Sequence, residues 1–205
     1  MDKHFPDWVL DLLNQDKKEK LFLYSQWLKT EGIKKGLISK KPDDYVWEEF
    51  IIHSLGFGLI IDNEYKSTTI CDLGTGAGIP GIPIAIMNPE KKVYLIDRSK
   101  KRIFELERLK NLLDIKNIEP VLEDAESFVS KNREDEGIYV SRCFMPTEKI
   151  IKNIFTYDNH QTEALLVSSN QRKEKIIKNA RFHVKQEEIF INKRKIRTID
   201  VITFK

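Results

Sequence analysis

At 205 residues and 40% hydrophobic content, the chain is sized for one domain that buries a core, with room for a small appendage. A net charge of +3 is too mild to require a nucleic-acid partner, and the two cysteines, Cys71 and Cys143, argue against a disulfide framework and fit a reducing cytoplasm. The stretch 1–7 has no apolar signal core, and the most apolar run, 50–61, is interrupted by His53 and Ser54 and too short to span a bilayer, so no membrane partner is expected.

In chain order, residues 7–14 and 18–30 carry Trp8, Leu12, Leu13, Phe22, Leu23, Trp27 and Leu28 at near-helical spacing, which predicts two helices. Gly32 and Gly36 break the pattern, and Pro42-Asp43-Asp44 caps a third helix running to about Ile61. These helices, residues 1–66, read as an N-terminal extension packed on a sheet; Trp8, Trp27 and Trp47 read as packing residues, with base stacking the alternative. From residue 67 to 205 apolar runs alternate with helical patterns. Strands are expected near 69–73, 92–97, 117–122, 137–141 and 163–168, and helices near 80–88, 99–113, 125–132, 146–155 and 171–180. Two closing strands, near 182–191 and 196–204, flank a hairpin turn at 192–195. Such alternation predicts an α/β fold, a mostly parallel sheet with helices on both faces, whose ligands sit beyond the carboxyl ends of the strands.

The densest signal is Asp72-Leu-Gly74-Thr75-Gly76-Ala-Gly78, a strand end running into a glycine turn, with Pro80 suited to the first position of the next helix. Gly76-x-Gly78-x-x-Gly81 matches a dinucleotide fingerprint literally, but that fingerprint starts directly after the strand, which puts Ile79 where its third glycine belongs. Acidic Asp72 better suits a donor with a cationic end, S-adenosylmethionine; a dinucleotide loop and a turn without ligand stay open. Asp97 ends the second strand about 20 residues beyond the loop, where such sheets place the acid that holds ribose hydroxyls, and it is equally placed to cap the next helix.

The run Asp72-Leu-Gly-Thr-Gly-Ala-Gly-Ile-Pro-Gly-Ile-Pro-Ile-Ala-Ile86 resembles the cofactor loop of the RsmG family, also called GidB, which methylates N7 of a guanine in small-subunit ribosomal RNA. Leu95-Ile-Asp-Arg-Ser-Lys-Lys-Arg-Ile-Phe104, Asn117-Ile-Glu-Pro-Val121 and Tyr139-Val-Ser-Arg-Cys143 are similar to later segments of that family. The resemblance implies a Rossmann-like class I methyltransferase with a seven-stranded sheet. It implies S-adenosylmethionine as cofactor, 16S rRNA or the small ribosomal subunit as partner, cytoplasmic location, a monomer and no metal. It places Gly74, Thr75, Gly76 and Gly78 along the cofactor, Asp97 on its ribose, Asp124 and Ala125 beside its adenine, and Arg142 at the entrance to the reaction site. Where the family has Arg-His-Ile-Leu-Asp-Ser, this chain reads Glu49-Phe-Ile-Ile-His-Ser54; Asp124 stands where the family has an arginine, and Ser168-Ser169 where it has Lys-Gly.

Guanine N7 is a lone pair with no proton to remove, so the absence of an evident His or Glu base fits that chemistry. A small-molecule or protein methyltransferase on the same fold, and a cofactor-binding module without RNA methylation, are the alternatives. Cys143 is the candidate thiolate for carbon methylation, with a packing role the plainer reading. His53 reads as a satisfied core histidine, no metal-ligand spacing is present, and the lysines and arginines from Arg172 to Arg197 read either as a basic patch or as a solvated face.

Overall fold

The computed structural model describes residues 5–132, 137–155, 162–169 and 182–204. Helix α1 is one turn, Asp7–Leu10. Helix α2, Gln15–Trp27, starts where the Asn14 side chain accepts the Lys17 N–H at 2.9 Å, earlier than its apolar pattern suggests. It widens into a π-helical turn at Leu28–Gly32. A second continuous helix begins as α3, Asp43–Tyr45, passes through a π-helical stretch at Val46–Ile52 and continues as α4, His53–Glu64. Its middle is buried almost all round, so its residues read as a hydrophobic run rather than an amphipathic one.

The sheet follows. Strands β1 (Thr69–Leu73), β2 (Lys92–Asp97), β3 (Ile118–Leu122), β4 (Gly137–Ser141) and β5 (Thr162–Ser169) pair in parallel. They alternate with α5 (Gly81–Met87), α6 (Lys100–Leu112), α7 (Ala125–Lys131) and α8 (Thr147–Ile154). Strands β6 (Phe182–Asn192) and β7 (Lys195–Phe204) form the closing hairpin, with β7 antiparallel to both β5 and β6. The order is β3-β2-β1-β4-β5-β7-β6. The order reverses between β1 and β4, which opens the crevice that sheets of this kind use for ligands.

Alternating side chains feed two cores. Ile70, Val93, Leu95, Ile138 and Val140 face α2, α4, α5 and α6; Cys71, Leu73, Ile96 and Tyr139 face α7 and α8 through Phe128, Val129 and Ile150. The tryptophans pack. Trp8 donates its indole N–H to the Phe190 carbonyl at 2.8 Å, Trp27 stacks on Tyr24, and Trp47 meets Phe5 edge-on.

Two local expectations change. Pro80 stands just before α5 as its cap rather than inside its first turn. The cap of α6 is Ser99, whose hydroxyl accepts the Arg102 N–H, so Asp97 is left for other contacts. The helix expected near 171–180, with Arg172, Lys173, Lys175 and Lys178, lies outside the described residues. Among the described residues no helix is long and apolar enough to cross a membrane.

Candidate functional site

Glycine is required in the β1–α5 loop for different reasons at each position. Gly74, Gly76 and Gly78 all have positive φ. A Cβ on Gly74 would stand 2.3 Å from the Phe144 ring, and one on Gly78 would stand 2.4 Å from Ile82. At Gly76 a Cβ would meet nothing nearer than the Gly74 carbonyl at 3.9 Å, so that face of the backbone is open to the cavity.

Five of the loop's amides are already engaged. Thr75 N–H donates to Ile96, while Gly78 and Ile79 both donate to Thr75. Gly76 N–H donates to Asp97 Oδ2 at 3.1 Å, and Gly81 N–H to Asp72 Oδ2 at 2.9 Å. A pyrophosphate would need such donors free at the helix start, so the geometry argues against the dinucleotide reading. The Tyr24 hydroxyl braces the loop from α2 by donating to the Ala77 carbonyl at 3.0 Å.

Gly74, Thr75, Gly76, Asp97, Asp124, Ala125 and Arg142 line one cavity of about 630 Å³, shared with Leu37, Ile38 and Phe50 from the helical region before β1. Asp72 and Gly78 do not line it. Asp72 is fully buried beneath the loop, where its Oδ2 also accepts the Thr75 hydroxyl at 2.7 Å and its Oδ1 has no partner. Burial pushes its carboxyl up to about 7, against the Thr75 and Gly81 bonds that lower it, and the nearby Asp97 charge raises it further. Asp72 therefore shapes the loop, and its charge reaches the cavity only through it.

Asp97 sits at the cavity wall with both oxygens in use. Oδ1 accepts Ser99 N–H at 2.9 Å; Oδ2 accepts Gly76 N–H and the Arg102 guanidinium at 3.0 Å. Each carboxylate oxygen has two lone pairs, so Oδ1 keeps capacity for a hydroxyl donor. Asp124 caps α7 by accepting the Glu126 and Ser127 N–H groups.

Arg98, Arg102 and Arg142 also line the cavity. Arg142 is 9% exposed; its guanidinium lies 5.3 Å over the Phe50 ring, and its Nη1 has no partner. Burial lowers its pKa, with Cys143 and Glu49 acting the other way. Behind it lie residues that carry only a faint sequence signal. Glu49 is an acid inside an apolar helical run, and it accepts hydrogen bonds from Lys195 and Arg197 of β7. These two cations of the carboxy-terminal basic stretch are thus committed to an ion cluster rather than presented as a free basic face. Burial would raise the Glu49 pKa, but the Arg197 and Lys195 bonds prevail and hold it at about 2. His53 is buried as expected, yet neither ring nitrogen has a partner; burial first, then the Arg142 charge, lowers its pKa to about 3. It is an unsatisfied core histidine, buried beside the Arg142–Glu49 cluster without a hydrogen bond to it. Cys143 lines the cavity as an exposed free thiol. No group of three or more His, Cys, Asp or Glu suited to a metal occurs among the described residues.

Comparison with known proteins bears on this site. Ribosomal RNA small subunit methyltransferase G of Flavobacterium johnsoniae is 37% identical over 124 residues, 60% of this chain and 56% of that relative. Its namesake in Bacteroides thetaiotaomicron is 34% identical over 156 residues, 74% of this chain and 69% of that relative. Aligned with the first of these, the chain spans little more than half the relative's length. A methyltransferase structure from Geobacter sulfurreducens superposes with TM-score 0.63 at 12% identity, covering 96% of this chain and 95% of that one, which establishes the shared class I methyltransferase fold. The rRNA small subunit methyltransferase G family model matches residues 17–199, from the helices that wall the cavity through the hairpin cations behind Arg142, and the chain belongs to that family.

Proposed function

We propose that this protein transfers a methyl group from S-adenosylmethionine to N7 of a guanine in 16S rRNA. The observation that carries the reading is one cavity lined by Asp97, Asp124, the open backbone of Gly76 and Arg142, whose buried Nη1 has no hydrogen-bond partner. When bound, S-adenosylmethionine supplies an electrophilic methyl on a sulfonium. The residues present fit it: the open face of Gly76 leaves room against the loop, Asp97 Oδ1 retains a lone pair for a ribose hydroxyl, and Asp124 and Ala125 line the side assigned to adenine. Thr75 and Gly74 complete the same wall, and Asp72 favours a cation from below.

No general base is needed, because N7 carries no proton. The protein's task is to hold the lone pair in line with the methyl group and to exclude water, and positioning of that kind lowers barriers by as much as roughly 7–11 kcal/mol. Arg142 has the donors for this. A guanidinium hydrogen-bonds guanine O6 or a phosphate oxygen while leaving N7 free to react. The segment before β1 supplies the substrate-side wall through Leu37, Ile38 and Phe50; Arg98 lines the cavity, and Lys40 and Lys41, close in sequence to Ile38, would add cations for flanking phosphates.

The test is transfer of labelled methyl groups from S-adenosylmethionine to purified small-subunit particles and to free 16S rRNA, with the product mapped by cleavage at N7-methylguanine. One stable methyl at a single N7 is expected. Label on an exocyclic amine or a pyrimidine carbon, or no transfer to either substrate, overturns the reading.

A further inference from the structure

The ion cluster behind Arg142 is unbalanced in a way that bears on the reaction. Glu48 and Glu49 face Lys195, Arg197 and Arg142, two carboxylates against three cations. Lys195 Nζ bonds Glu48 at 2.7 Å and Glu49 at 2.8 Å, while Arg197 grips both oxygens of Glu49, its Nε at 3.1 Å from Oε2. Arg142 is the member left with the weakest claim. Its Nη2 stands 3.6 Å from Glu49 Oε2, close enough for attraction and too far for a hydrogen bond. Its charge is directed by Glu49 and not cancelled by it. Phe50, the next residue on the same helix, supports the guanidinium with its ring face and lines the cavity. Glu49 and Phe50, neighbours on one helix, thus flank the guanidinium, and its Nη1 has no hydrogen-bond partner.

We propose that Glu49 is a positioning residue for methyl transfer: clamped by Lys195 and Arg197 of the β6–β7 hairpin, it aligns the Arg142 guanidinium at the reaction end of the cavity without neutralising it. This rests on the reading that Arg142 contacts the RNA base. A cluster that only pinned the hairpin to the helix would need no third cation beside the shared carboxylate. Glu49 takes its hydrogen bonds from β7 and none from Arg142, so the buried arginine beside it keeps Nη1 without a partner.

A double-mutant cycle separates positioning from general support. Turnover on small-subunit particles is measured for the wild type, Glu49→Gln, Arg142→Lys and the double variant, with S-adenosylmethionine affinity followed by calorimetry. Glu49→Gln is expected to lower kcat at least tenfold with cofactor affinity unchanged within twofold. In the Arg142→Lys background it is expected to cost less than a further twofold. Multiplying losses, or a kcat within twofold of wild type for Glu49→Gln, overturns the inference while the function stands. Absence of transfer by the wild type overturns both. Should Glu49→Gln fail to fold, Lys195→Met, which leaves Arg197 on Glu49, replaces it in the same cycle. It is expected to lower kcat at least threefold in the wild-type background and by less than 1.5-fold beside Arg142→Lys, and an equal loss in both backgrounds refutes the proposal.

Discussion

Asp97 at the end of β2 accepts the backbone N–H of Gly76 at 3.1 Å, so the carboxylate of one strand fixes the turn that follows its neighbour. The same oxygen holds Arg102 from the first turn of α6. One side chain thereby ties together three pieces of the cavity wall that are separated along the chain. Removing it should loosen the wall as well as delete an acceptor.

Asp97→Ala is accordingly expected to weaken S-adenosylmethionine binding at least tenfold, about 1.4 kcal/mol, in a calorimetric titration. The Gly76 and Ser99 N–H groups lose their acceptor in the same variant, which should lower the melting temperature as well. Cofactor affinity equal to wild type would remove Asp97 from the site.

Asp72 gives a pH signature. Its folded pKa of about 7 lies above the ordinary 3.8, so between those values the folded state binds more protons than the unfolded one. Stability from this group is present at low pH and declines as pH rises through the window. In Asp72→Asn that decline is absent, while the amide oxygen still accepts from Thr75 and Gly81. The melting temperature of the variant relative to wild type is expected to climb steadily between pH 4 and pH 7, at about 2–4 °C per kcal/mol for a chain of this size. Cofactor binding by the wild type should tighten from pH 6 to pH 8, because ionised Asp72 favours a cation, and the variant should not share that trend.

His53 works in the opposite sense. Its folded pKa of about 3 lies below the ordinary 6.5, so the folded state binds fewer protons and loses stability as pH falls through that interval. His53→Leu removes two unpartnered buried nitrogens, each costing roughly 1–3 kcal/mol. Thermal unfolding from pH 4 to pH 8 should show a variant that melts higher throughout and gains most at the acid end. Parallel curves would show that His53 does not titrate in this window.

Lys40 and Lys41 follow the cavity-lining pair Leu37 and Ile38. Lys40→Gln combined with Lys41→Gln is expected to weaken 16S rRNA binding and to reduce the slope of log affinity against log salt by about 1.4–1.8, roughly 0.7–0.9 for each of two phosphates no longer neutralised. Cofactor affinity should not change. An unaltered slope in filter-binding titrations would take these lysines out of the RNA interface.

Features set by neighbours along the chain are legible in the order of residues itself. The glycine turn, the alternation of strand and helix, the strand-end position of Asp97 and the closing hairpin depend on periodicity and backbone freedom, which operate over a few residues. Cysteine count and charge bound the class without reference to any fold. Tertiary structure alone decided which way each functional side chain turned. Asp72 and Asp97 both close apolar strands in the sequence, yet one is folded under the loop and the other faces the cavity, because the Thr75 hydroxyl and the Gly81 amide converge only on Asp72. Lys195 and Arg197 look like solvated charge until β7 brings them to Glu49, nearly 150 residues earlier in the chain. Buried charge must find its partner in space, and no local pattern records where a partner so distant in sequence will come to rest.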